Sequence, residues 1–207
     1  MRLACGPQGT GVAAAALDVA LGYAVDRLQG GAPDQRPIPI SHHPDIQREL
    51  LAMAAQVELT RGLDIACAQV LDLSRQDDDE ARRETWSAVA QVLLPIVKDS
   101  AAWCAVEVSS RAIQVLGGAG FTSEWPVERL YRDARVFPIF EGTSGIQALD
   151  LLHRRVWRDG RAGIDVLLDL VRQDAEDLAS SDPFVVTLDL LDRTVGHLAN
   201  LRSTPRA

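Results

Sequence analysis

Residues 112–155 read AIQVLGGAGFTSEWPVERLYRDARVFPIFEGTSGIQALDLLHRR, and the order of these parts decides the fold. The glycines Gly117, Gly118 and Gly120 follow an apolar stretch of helical character. In a strand-turn-helix dinucleotide site such glycines follow a strand, so that architecture is excluded by context. Here they end a helix and leave bare backbone that something else can approach. Residues 126–135 then predict a short helix bearing Arg129, Arg132, Asp133 and Arg135. Its charges read as ion pairs along a helix surface, with an anion site as the alternative. The loop Phe140-Glu141-Gly142-Thr143-Ser144 leads into a helix predicted over 144–156. Gly142 permits tight backbone there, and Thr143 or Ser144 can cap the helix. Glu141, at the positive helix end and partly desolvated between Ile139 and Phe140, has the setting of a general base, although a carboxylate in a capping loop is more often structural.

Outward from this stretch the pattern is helical throughout. Residues 11–28 are apolar around most of the circumference, which asks for partners on more than one side. They stop at Gln29-Gly30-Gly31, and a connection through Pro33, Pro37 and Pro39 follows without strand alternation. A second helix is predicted over 44–73, since Pro is tolerated in a first turn and Asp45 suits the positive end. After a polar turn at 74–80, a third runs over 81–116, where Pro95 predicts a kink or short break. Residues 163–179 and 183–201 form a closing pair. The fold class is therefore all-α: an antiparallel helical bundle with a C-terminal helical hairpin extension, divided as 1–161 and 162–207.

The composition removes several functions. In 207 residues, 21 basic and 29 acidic side chains leave a net charge of −8, which argues against nucleic acid or an anionic membrane as partner. Lys98 is the only lysine among the 21 basic residues, which reads as compositional bias. Cys5, Cys67 and Cys104 are widely spaced within helical stretches and read as small buried side chains in a reducing compartment. His42, His43, His153 and His197 have no ligand spacing, so no metal is expected, and His42-His43 reads as a solvated region before a helix. Without a leader or a run of about 18 apolar residues, the expected location is cytoplasmic.

Three motifs in order, residues 114–121 (QVLGGAGF), 126–135 (PVERLYRDAR) and 140–147 (FEGTSGIQ), resemble the C-terminal helical domain of acyl-CoA dehydrogenases. The resemblance extends to residues 2–9 (RLACGPQG), 26–30 (DRLQG) and 149–155 (LDLLHRR). The stretch IPISHHPDIQRELL and the sequence after EGTSGIQALDLL look most like a bacterial subgroup that includes methylmercaptopropionyl-CoA dehydrogenases.

This resemblance implies FAD as cofactor and an acyl-CoA, or a carrier-protein acyl thioester, as substrate. It implies that Glu141 removes the α-proton while its backbone N–H helps polarise the thioester carbonyl, with Phe140 and Gly142 beside the substrate. Arg27, Gln114 and Gly118 would contact the dinucleotide part of FAD from a neighbouring subunit, and Thr143 and Gln147 would face the cofactor. Phe140 stands where the family more often has Tyr. The family places an N-terminal helical domain and a middle β-domain before this one. The expectation is thus the C-terminal subunit of a split acyl-CoA dehydrogenase, working as a hetero-oligomer with a separate chain and passing electrons to an acceptor. The alternative is a non-catalytic helical subunit.

Overall fold

Small side chains at helical spacing, Ala13, Ala16, Leu17, Ala20 and Ala24, set one face of α1 (Arg2–Asp26) into the core. A computed structural model describes residues 2–30 and 36–201. Gly31 and Pro33 of the proline-rich connection lie outside the described residues. The helix begins nine residues earlier than its apolar pattern suggested and carries Pro7 in its second turn. Proline there removes the bond that an N–H would make to the Leu3 carbonyl, one turn back, and the helix runs on through it.

The expected absence of strand in the connection is corrected by a two-residue ladder. β1 (Leu28–Gln29) pairs antiparallel with β2 (Ile38–Pro39), Leu28 opposite Pro39. Two residues are too few to show alternation, so no sequence pattern marks them. After a single 3₁₀ turn at Ile40–His42, α2 (Pro44–Gln76) begins at the expected proline. Asp79 then caps α3 (Glu80–Leu116), its Oδ1 accepting from the Ala81 N–H at 2.8 Å. The helix is continuous through Pro95, so the predicted break does not occur. A window of 18 residues in this stretch is apolar enough to cross a membrane by composition (mean hydropathy 1.4), and 67% of it is buried within the protein. A 3₁₀ segment Gly117–Phe121 follows, then α4 (Val127–Ala134), α5 (Ser144–Leu149), a wide π-type stretch Asp150–Arg158, α6 (Ala162–Asp174) and α7 (Pro183–Leu201).

The contacts divide the chain into two units, one of residues up to 66 with 97–144, the other of 67–96 with those from 145 onward. The expected boundary between 161 and 162 is therefore not where the packing divides. The cause is the length of α2 and α3, 33 and 37 residues, which carries each helix through both units.

In the first unit, α1 packs on Leu50, Met53 and Val57 of α2 and on Cys104, Val108 and Ala112 of α3. A second cluster joins Val12 to Ala105, Val106 and Ala134, so α1 does have partners on two sides. The α2 and α3 segments run antiparallel: Gln56 bonds Glu107 at 2.8 Å, and Glu49, earlier on α2, pairs with Arg111, later on α3. A Cβ on Gly9 would lie 2.5 Å from the Ala101 carbonyl, so glycine there lets α1 press on α3. Thr10 donates to the buried Asp64 at 2.7 Å, and burial pushes the Asp64 carboxyl above its ordinary range.

In the second unit, Val92, Val156, Ile164, Leu168 and Leu188 form the core. Arg161 pairs with Asp165 and Asp192, and Arg172 reaches Asp192 at 2.6 Å, so Asp192 ties α7 to α6. All three cysteines are buried outside any disulfide.

Candidate functional site

The end of α1, the start of α2 and the glycine end of α3 enclose an open cleft of about 730 Å³ in the first unit. Its lining brings Arg27 together with Gln114 and Gly118, far apart in sequence. Arg27 ends α1 where its backbone turns into the small ladder, the Ile40 N–H donating to the Arg27 carbonyl at 2.8 Å. Gln114 lies one turn before the helix stop, where Gly117 takes φ 61°, a left-handed value that glycine adopts without penalty. A Cβ on Gly117 or Gly118 would meet nothing within 4 Å, so both leave bare backbone facing open space. The volume falls in the usual range of ligand pockets, about 300–1,000 Å³. A guanidinium, a side-chain amide and bare glycine backbone line one cleft, a set that suits the phosphates and adenine of a dinucleotide.

Two further lining residues were not expected at a site. His43, read as solvated, is half-buried, and its Nε2 donates to the Gln29 carbonyl at 3.1 Å. Tyr23 lies edge-on to Trp125 with ring centroids 5.1 Å apart. Neither carries a local motif, because their neighbours come from distant segments. Among the described residues no group of three or more His, Cys, Asp or Glu side chains is placed to hold a metal.

The loop with Glu141 belongs to the same unit but is absent from the cleft lining. Glu141 and Gly142 both take left-handed backbone, φ 54° and 96°. For a residue with a side chain this costs about 1–2 kcal/mol, so the surroundings must hold it. Lys98, wholly buried, donates to the Phe137 carbonyl at 2.8 Å and the Gly142 carbonyl at 2.7 Å. Five residues further along α3, Trp103 Nε1 donates to Ser144 Oγ at 2.9 Å, and the Arg135 guanidinium lies 5.5 Å from the Trp103 ring centre. Phe140 is half-buried and tilted against Phe137 at 5.7 Å.

The electrostatics place three groups together. Burial pushes the Cys5 thiol up, the Glu141 charge adds to this, and Lys98 opposes it. Burial lowers the Lys98 ammonium from its ordinary value, against the pull of Cys5, Asp99 and Glu141.

Two expectations change here. Glu141 is exposed, and Ile139 beside it is 60% exposed, so its own apolar neighbours do not desolvate it; a cover would have to come from outside this unit. Among the described residues Arg129, Arg132, Asp133 and Arg135 form no ion pair with one another, and Arg135 lies against Trp103. Thr143 is exposed beside Glu141, whereas Gln147 is buried and falls in the second unit.

Residues 1–156 match the family model described as acyl-CoA dehydrogenase, C-terminal domain. The 3-methylmercaptopropionyl-CoA dehydrogenase of Ruegeria pomeroyi is 48% identical over 162 residues, 77% of this chain and 27% of that protein. Butyryl-CoA dehydrogenase from Megasphaera elsdenii superposes with a TM-score of 0.59 at 30% identity, covering 72% of this chain and 34% of its own. The apo-form of Bd2924 shares the fold over 96% of this chain and 40% of its own, with a TM-score of 0.71 at 24% identity. The chain thus spans about a quarter to a third of the length of the curated relatives it matches. Acyl-CoA dehydrogenases are FAD-dependent flavoproteins. By this match over residues 1–156, the chain belongs to the acyl-CoA dehydrogenase family and carries its C-terminal domain.

Proposed function

We propose that this chain is the C-terminal part of an FAD-dependent acyl-CoA dehydrogenase, completed by a separate chain bearing the other domains, and that Glu141 is its base. The observation that carries the reading is the convergence of Arg27, Gln114 and Gly118 on one cleft. Arg27 would neutralise a phosphate of the dinucleotide, Gln114 would bond its polar atoms, and Gly118 would let it approach the backbone. Thr143 and Gln147 are the remaining candidate cofactor contacts. When bound, FAD supplies the two-electron acceptor that takes the β-hydrogen, and it would pass those electrons to an external acceptor.

The work of the chain's own residues is proton transfer and orientation. An α-C–H is a very weak acid, so its removal needs a carboxylate within reach and a donor to the thioester carbonyl. Glu141 would take the proton on its carboxylate, and its backbone N–H would donate to that carbonyl. Phe140 and Gly142 would border the acyl group. Exposure of Glu141 in this chain suits the reading, because a surface that partner domains close over can desolvate the base once substrate is bound.

Co-expression with an acyl-CoA dehydrogenase-like chain of N-terminal and β-domains tests this. The expected result is a yellow complex that reduces an electron acceptor with acyl-CoA. Glu141→Gln should stay yellow and lose at least about 10³-fold in turnover, as expected when the group that moves the proton is removed. Full activity of that variant would sink the assignment of the base. A colourless chain that gains neither flavin nor activity from any such partner would make it a structural subunit instead.

A further inference from the structure

The wholly buried Lys98 is joined to two backbone carbonyls on either side of Glu141. A charge is kept out of water only where hydrogen bonds replace its hydration. The partners here are Phe137, where the segment after α4 turns, and Gly142, next to the strained residue. One ammonium thus closes a ring of backbone around residues 137–142.

The residue type is informative. Twenty-one basic residues include a single lysine, and it is the one that bridges these two carbonyls. A guanidinium is planar and wide, with donors fixed in a fork, whereas an ammonium is a compact point with three rotatable donors. Two carbonyls converging on one wholly buried point suit the compact ammonium better than the wider fork. Composition favours arginine everywhere else, so the site's geometry, not genome bias, accounts for the exception.

We infer that Lys98 is the positioning residue of the base, holding the 137–142 loop so that the Glu141 N–H and carboxylate face the substrate together. The inference rests on the reading of Glu141 as the base, and it assigns Lys98 no contact with substrate or cofactor. Trp103, through Ser144, fixes the far end of the same loop. Freed from its anchor, Glu141 would relax out of left-handed backbone and move by the order of an ångström, which costs a reaction about 10²-fold.

The test uses the full 207-residue chain and needs no cofactor. Lysine labelled with ¹⁵N at Nζ gives one side-chain signal, because Lys98 is the only lysine. Its Nζ protons are expected to exchange with water at least tenfold more slowly than in the urea-unfolded chain; an equal rate would overturn the inference. In Lys98→Met the amides of 139–143 should exchange at least tenfold faster, while those of α1 keep their protection. Unchanged loop amides would also overturn it.

Lys98→Arg separates position from charge. It should fail to restore loop protection, and full protection would refute the role given to the ammonium. In the completed enzyme, Lys98→Met should lose about 10²-fold in kcat with KM changed less than threefold. If Glu141→Gln retained turnover, the assignment of the base would fall, while the exchange measurements would still decide whether Lys98 holds the loop. If Lys98→Met did not fold, the labelled wild-type chain would decide the matter by itself.

Discussion

At the scale of single residues, the packing withdraws ionisable side chains from water while the proposed base stays exposed. Asp64 is the clearest case after Lys98. Oδ2 accepts from Thr10, while Oδ1 has no hydrogen-bond partner among the described residues. Burial raises this carboxyl above its ordinary value, so the folded chain keeps the proton at pH values where the unfolded chain, with a pKa near ~3.9, has released it. Stability therefore falls as pH rises from about 4 until the folded value is passed, and stays lowered beyond it. Asp64→Asn cannot titrate. Its melting temperature should gain on the wild type as pH is raised from about 4 to 7, and a pH-independent difference would contradict this. Asp64 did not stand out in the sequence, and Lys98 stood out only as the single lysine. A charged residue in a helix reads as solvated until the packing reveals which face it is on.

At the scale of elements, glycine positions discriminate between contact and open surface within one helix. Gly9 of α1 faces the Ala101 carbonyl and Gly11 faces nothing within 4 Å. Gly9→Ala should destabilise by about 1–3 kcal/mol through overpacking, and Gly11→Ala should stabilise by about 0.5–1 kcal/mol through helix propensity. Urea unfolding of the two variants checks both signs. In the second unit, hydrogen bonds from Arg161 and then Arg172 hold the Asp192 carboxyl below its ordinary range. That contribution is complete above the unfolded pKa of about 3.9 and is lost as pH falls through the folded value. Asp192→Asn should therefore weaken hydrogen-exchange protection of α6 and α7 at pH 7, and the difference from wild type should close in acid.

At the scale of the whole molecule, the cleft and the loop are each incomplete sites. The cleft is open, with Arg27, Gln114 and Gly118 exposed, and Glu141 is exposed as well. Little binding energy is available where water competes for every donor. The chain alone should bind FAD weakly, and the proposed complex at least about 10²-fold more tightly, as flavin fluorescence titration would measure. Within that complex Arg27→Ala should cost about tenfold or more in FAD retention, the loss of one charge-assisted contact. Equal affinity with and without the partner would remove the proposed division of the cofactor site.

Helical class, the bounds of α7 and the start of α2 at Pro44 were legible in the sequence, because apolar spacing, prolines and caps act within a few residues of themselves. So were the three motifs around the glycine turn, the short α4 and the Glu141 loop, which carry the family. The resemblance had grouped Arg27, Gln114 and Gly118, and the tertiary structure put them in one cleft; it alone decided that His43 joins them and that Lys98 reaches Phe137 and Gly142. It also decided where the two units divide. These depend on which faces of long helices meet, and a helical period states that a face exists without naming its partner. The same limit hid the role of the single lysine: sequence counts it, and only packing shows two distant carbonyls converging on one buried ammonium.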